Sequence, residues 1–176
     1  AAAVLEGDGE AKLGVGPVIE NGFYYDILTS KPISQADLPN IEQKIRALAK
    51  KNLDFTPENI SAEKAREMFR DQPFKLELIE ELAMDKKPIS IYKTLPATSY
   101  QLPAVFVDLC QGPHVANTRD LPLDAFKLTK VAGAYWRGSE KNPMLTRVYG
   151  VAFGTKKELQ DNLKLLAEAS KRDHKV

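Results

Sequence analysis

The tripeptide Glu20-Asn21-Gly22 constrains this chain most. It separates two short apolar runs, Leu13 to Ile19 and Phe23 to Ile27. An Asn-Gly turn accepts the positive φ angles of a two-residue reversal, so this stretch predicts a β-hairpin near the amino end. Before it, Ala1 to Glu6 reads as the end of a helix running into the turn Gly7-Asp8-Gly9. A chain that opens inside a helix reads as a fragment.

After the hairpin the apolar period changes from two to that of a helix. Leu38, Ile41, Ile45 and Leu48 lie at helical spacing within Ser34 to Asn52, with Ser34 and Asp37 as a capping pair. Ser61 to Asp71 predicts a shorter helix capped by Ser61, and Phe74 to Met84, after Pro73, a third. Ile89 to Tyr92, Ala104 to Leu109, Phe126 to Val131 and Met144 to Phe153 predict strands. Gly138 to Pro143 is read as the loop between the last two. Thr155 and Glu158 form a capping box for a closing helix to Asp173, with Leu159, Leu163 and Leu166 as its buried face. Hairpin, helices, strands and helix, in that order, predict an α+β fold with a mainly antiparallel sheet, residues 1–176 forming one domain.

Composition adds exclusions. The 176 residues carry a net charge of +1, so any RNA contact needs a local patch and not a bulk field. Cys110 is the only cysteine, which rules out an internal disulfide and fits a reducing cytoplasm. No apolar stretch approaches the ~20 residues a membrane span needs. The amino end lacks the pattern of a signal peptide.

Chemistry concentrates in Asp108-Leu109-Cys110-Gln111-Gly112-Pro113-His114. Asp108 and Cys110, two apart on a strand, share a face, and Leu109 points into a core. Gly112-Pro113 ends the strand and turns the chain, which can return His114 to Cys110. Four readings are open. The group could be half a zinc site, although the only other histidine is His174. It could be a nucleophilic thiol with a histidine base. It could be a polar pocket that orients a water. Or it could be a structural cysteine beside a backbone-bonded histidine.

Elsewhere, Tyr24 alternates with Phe23 and Tyr25 across a strand. Lys75 reads as a solvated lysine on a helix. Ala132-Gly133-Ala134-Tyr135-Trp136-Arg137-Gly138 reads as a tight loop with ordinary charges, or as a place where Arg137, Lys127, Lys130 and Lys141 meet phosphate.

Read together, several phrases resemble the editing domain of threonyl-tRNA synthetases. These are Gly16-Pro17-Val18-Ile19-Glu20-Asn21-Gly22-Phe23-Tyr24-Tyr25-Asp26, the Asp108 to His114 stretch, and Phe126-Lys127-Leu128 with Ala132 to Gly138. Met144 to Gly150 and the closing Lys171-Arg172-Asp173-His174-Lys175 complete the set.

The resemblance implies hydrolysis of serine wrongly esterified to threonine tRNA. Serine lacks one methyl of threonine, and a pocket separates such pairs by only about 1–3 kcal/mol, so a second, hydrolytic site is needed. It implies His114, Asp108 and Lys75 as the groups that position a water. Cys110, Tyr25, Gly112, Trp136 and Arg137 would hold the substrate. The partners implied are the acceptor end of threonine tRNA bearing a seryl ester and the remainder of a synthetase chain, with no membrane involved. No cofactor is expected; zinc on Cys110 and His114, as in alanyl-type relatives, is the alternative. The helix 155–173 would lead toward a catalytic domain. The family's first motif, His-x3-His on a helix, does not occur in this sequence and is expected just ahead of Ala1. The chain as written would then hold half a site, which keeps a non-catalytic role in binding the acceptor end or supporting the synthetase in view.

Overall fold

The computed structural model describes residues 1–97 and 103–173. His174, the last histidine, lies outside the described residues. The architecture is α+β with two antiparallel sheets. Along the chain run α1 (Ala2–Leu5), β1 (Lys12–Leu13), β2 (Val18–Ile19), β3 (Gly22–Leu28), α2 (Leu38–Ala49), β4 (Leu53–Ile60), α3 (Ala62–Met68) and α4 (Pro73–Met84). Then come β5 (Ile89–Pro96), β6 (Phe106–Leu109), β7 (Phe126–Tyr135), β8 (Met144–Ala152) and α5 (Lys156–Asp173).

The first sheet has the order β1-β3-β8-β7, with β2 also paired to β3. The Asn-Gly turn does what its residues predict. Ile19 pairs with Gly22, and Asn21 adopts a φ of 57°. One face of this sheet packs on α2, where Leu38, Leu128 and Val148 are buried together with Phe23, Ile41 and Ile45 against them. A bulge at Thr129 lets Leu128 and Val131, three apart, both face α2. The other face is covered at one end, where Phe74 of α4, Trp136 and Leu145 form a buried cluster with Leu28 and Leu78.

The second sheet, β4-β5-β6, backs onto α3 and α4 through Ile89, Ile91, Ala65, Phe69 and Ile79. Its other face turns toward the amino end. There Phe106 joins Val4, Leu13, Ile27 and Tyr25, so the two sheets meet across one apolar cluster.

Some expectations change. β4 is a strand that sequence reading left out; Pro57 interrupts its β pattern, and it is tolerated because β4 is an edge. The Ala132 to Tyr135 stretch, expected in a tight loop, continues β7 and pairs with Met144 to Arg147. β6 begins at Phe106 and not at Ala104. The Ser34–Asp37 capping box and the Thr155–Glu158 box are both formed. The expected buried face of α5 holds only at its start: Leu159 is 6% exposed, and Leu166 is 49% exposed. No helix among the described residues is long and apolar enough to cross a membrane.

Candidate functional site

β6 ends at the polar stretch singled out above. Asp108 is opposite Tyr92 in the register of β5 and β6, and Leu109 packs into the core under α3 and α4. Strand pairing continues one residue further, with Cys110 N–H donating to the Ser90 carbonyl at 3.1 Å. Asp108 and Cys110 therefore share the face that turns toward β3, as their spacing predicts.

Asp108 is the hub. Its Oδ1 lies 2.7 Å from Lys75 Nζ, and its Oδ2 accepts a hydrogen bond of 2.5 Å from the Tyr25 hydroxyl. Lys75 Nζ also donates to the Tyr25 oxygen at 3.2 Å. The solvated lysine expected at position 75 is instead 2% exposed. The reason is its place on α4, one position after buried Phe74 and four before buried Ile79, on the stripe that faces the sheets. Burial first, and the charge of Asp108 second, hold the Tyr25 phenol well above its usual range, so it stays a donor. The Tyr25 ring lies across Gly16, where a Cβ would fall 2.2 Å from it. Only glycine admits that approach.

His114 returns to Cys110 as the Gly-Pro turn predicts: Nε2 stands 3.9 Å from Sγ. The Gly112 N–H donates to the same sulfur at 3.4 Å. Gly112 has a φ of +67°, and the Gly112–Pro113 peptide is cis. A Cβ on Gly112 would lie 2.2 Å from the Tyr92 oxygen. The imidazole stacks on Tyr92 at 4.1 Å between centroids and on Phe55 at 5.3 Å. Desolvation by these neighbours lowers the His114 pKa below its ordinary 6.5, opposed in part by the charge of Asp108. The ring is therefore neutral near pH 7 and able to accept a proton.

Tyr25, Lys75, Asp108, Cys110, Gly112 and His114 are thus gathered at one strand end; spacing had predicted this for Asp108, Cys110 and His114. Trp136 and Arg137 are tied elsewhere among the described contacts. Trp136 is buried on Phe74 and donates from Nε1 to Glu77 at 2.8 Å; Arg137 pairs with Glu77 and Glu81. They reach the cluster through α4, which carries Lys75. Phe55, Tyr92 and Glu77 are partners that sequence reading missed. Phe55 was hidden with β4. Tyr92 could have been found as the strand residue opposite Asp108, had the register been known.

Cys110 and His114 are two possible metal ligands. Among the described residues no group of three or more His, Cys, Asp or Glu gathers to hold a metal ion.

Residues 89–149 match the family described as the threonyl and alanyl tRNA synthetase second additional domain. The chain is 51% identical over 172 residues, 97% of its length, to the threonine–tRNA ligase of Thermotoga neapolitana, of which it covers 25%. It is likewise 51% identical over 175 residues, 99% of its length, to that of Nautilia profundicola, covering 26% of it. For the ligase of Rubrobacter xylanophilus the identity is 49% over 175 residues, again 25% of the relative. The chain spans about a quarter of the length of the curated relatives it matches.

Proposed function

We propose that this chain, whose residues 89–149 match the threonyl and alanyl tRNA synthetase second additional domain, hydrolyses seryl esters of threonine tRNA in a cytoplasmic synthetase. The observation that carries this reading is the buried Lys75–Asp108–Tyr25 group at the strand end that also presents Cys110 and His114.

Ester hydrolysis needs a positioned water, stabilisation of the oxyanion that forms at the carbonyl, and a proton for the departing ribose oxygen. His114, neutral and on the exposed side, accepts a proton from water as it attacks. The carbonyl carbon–oxygen bond then breaks, the ribose oxygen takes up a proton, and serine leaves as the free amino acid. Lys75 is held at Asp108 as a fixed cation to which a developing oxyanion is attracted. Asp108 orients Lys75 and Tyr25 and keeps both as donors. Tyr25 and Cys110 line the pocket, with Gly112 in the turn that brings His114 beside them; Trp136 and Arg137 support the substrate side through α4. A thioester on Cys110 is not part of this route.

The test is deacylation of seryl- and threonyl-tRNA for threonine, with this chain and with a version extended through the histidine pair. The extended chain should release serine much faster than threonine, and Asp108→Asn should remove that activity. If neither chain releases serine while both bind the acceptor end, the hydrolytic reading fails and a binding role replaces it. Stoichiometric zinc in the extended chain would favour an alanyl-type site.

A further inference from the structure

The loop that carries His114 leaves β6, crosses β5 and ends on the outer edge of β4, the edge strand of the second sheet. Its start is fixed on β5. Cys110 N–H donates to the Ser90 carbonyl at 3.1 Å, and the Ser90 hydroxyl donates to the Cys110 carbonyl at 2.7 Å. Residues 113–116 are exposed, His114 among them. Asn117 and Thr118 then dip inward, to 3% and 4% exposure.

Polar side chains of a surface loop ordinarily stay in water, and burying them is costly unless each polar atom finds a partner. Here every one does. The Asn117 amide nitrogen donates to Asp54 Oδ1 at 2.6 Å, and its oxygen accepts from the Arg119 N–H at 2.8 Å. The Thr118 hydroxyl donates to the Ala49 carbonyl at 2.7 Å, where α2 ends. It accepts from the Leu53 N–H at 2.9 Å, where β4 starts. Asn117 also forms an antiparallel bridge with Asp54, and the Phe55 N–H donates to the Ala116 carbonyl at 3.0 Å. Buried polar groups that are fully bonded select one arrangement over its neighbours, so the register of the loop on β4 is locked.

Phe55 holds this loop twice. Its backbone binds Ala116, and its ring packs on the imidazole of His114. Tyr92 of β5 packs on the same imidazole. Val115 alone separates His114 from the anchored segment, which leaves the imidazole little backbone slack. A slip of residues 116–118 along β4 would carry it off both rings.

We propose that Asn117 and Thr118 are positioning residues: they lock the loop on β4 and thereby hold the His114 imidazole where it takes the proton of the attacking water. The inference rests on the proposed hydrolysis, in which His114 accepts that proton. Both residues act through the loop backbone and not by contact with the ester. A reacting group misplaced by about 1 Å can cost about a hundredfold in rate.

The experiment pairs NMR of this chain with seryl-tRNA deacylation by the version extended through the histidine pair. Thr118→Val removes the hydroxyl at nearly constant shape, Thr118→Ser keeps it, and Asn117→Ala removes the amide. Ser61→Ala, which uncaps α3 on the other face of the second sheet, controls for lost stability. Thr118→Val and Asn117→Ala should move the His114 ring-proton shifts, which the Tyr92 and Phe55 rings set. They should lower kcat about tenfold to a hundredfold with little change in KM. Thr118→Ser should stay near wild type in both readouts, and Ser61→Ala should leave the ring shifts in place. In the wild-type chain the Leu53 and Phe55 amides should exchange hydrogen slowly, a reading that needs no variant to fold. Fast exchange at both overturns the proposal. So do unmoved His114 shifts with unchanged kcat in both variants, or movement of only one of these readouts in an active enzyme. If the ring shifts move and no extended chain releases serine, the strap on β4 stands and the hydrolytic reading fails. If the wild-type extended chain releases serine and both variants match it with His114 unmoved, the positioning role fails and hydrolysis stands.

Discussion

Lys75 of α4 and Asp108 of β6 meet with Nζ 2.7 Å from Oδ1 and side chains 3% and 14% exposed. The pair joins the helix that backs the second sheet to the strand that faces the first. Removing one partner of such a pair leaves a charge without compensation, at a cost of about 3–5 kcal/mol. Lys75→Met and Asp108→Asn should each lower stability by an amount of that order, and the double variant by clearly less than the sum. Urea unfolding of the four proteins gives the coupling directly. Tyr25→Phe, which takes one donor from Asp108, should cost about 1–3 kcal/mol.

His114 carries the pH dependence. Its folded pKa lies below 6.5, so the neutral form is favoured by folding. That contribution is complete above pH 6.5 and is lost as the pH falls through the folded value. Carbon–proton NMR of the two histidines should find His114 titrating below 6.5 and Tyr92→Leu moving it upward, because the leucine leaves the ring better solvated. The acid limb of deacylation should follow the same shift.

Glu77 is a latch between the β7–β8 connection and α4. It accepts from Trp136 at 2.8 Å and from Arg137 Nε at 3.1 Å. Trp136→Phe keeps the stack on Phe74 and loses one hydrogen bond, so about 1 kcal/mol is expected. Trp136→Ala empties a buried site and should cost about 3–5 kcal/mol. If the latch orients Lys75, Glu77→Gln should lower the deacylation kcat with little change in KM. It should also shift the Lys75 Nζ NMR signal. A change in stability alone, with both readouts unmoved, would show that Glu77 only braces the fold.

Gly112→Ala places a side chain at a φ of +67° and against Tyr92. Backbone strain alone costs about 1–3 kcal/mol. The substitution should lower Tm by several degrees and disturb the His114 signals, with Tyr92→Leu relieving part of the loss. Wild-type His114 signals in Gly112→Ala would mean that the turn does not hold the imidazole.

Local patterns carried much of this. The Asn-Gly turn, the Ser34–Asp37 and Thr155–Glu158 boxes and the period of α2 are rules between residues a few positions apart, and the elements they announce are present. So is the shared face of Asp108 and Cys110, which follows from the alternation of a strand. β4 was missed because Pro57 obscures its pattern, and only its edge position makes the proline harmless. The outer turns of α5 show the converse, a helical stripe at the expected spacing whose Leu166 remains exposed.

The sequence by itself determined the element types, the turn that returns His114, and the residues with chemistry to offer. It did not determine that Lys75 is buried on Asp108, that Tyr92 and Phe55 hold His114, or that Trp136 and Arg137 close on Glu77. Each of those relations joins residues far apart along the chain. Their distances depend on how two sheets and α4 pack, and packing is set by the sum of many weak apolar contacts. No single residue spacing encodes that sum.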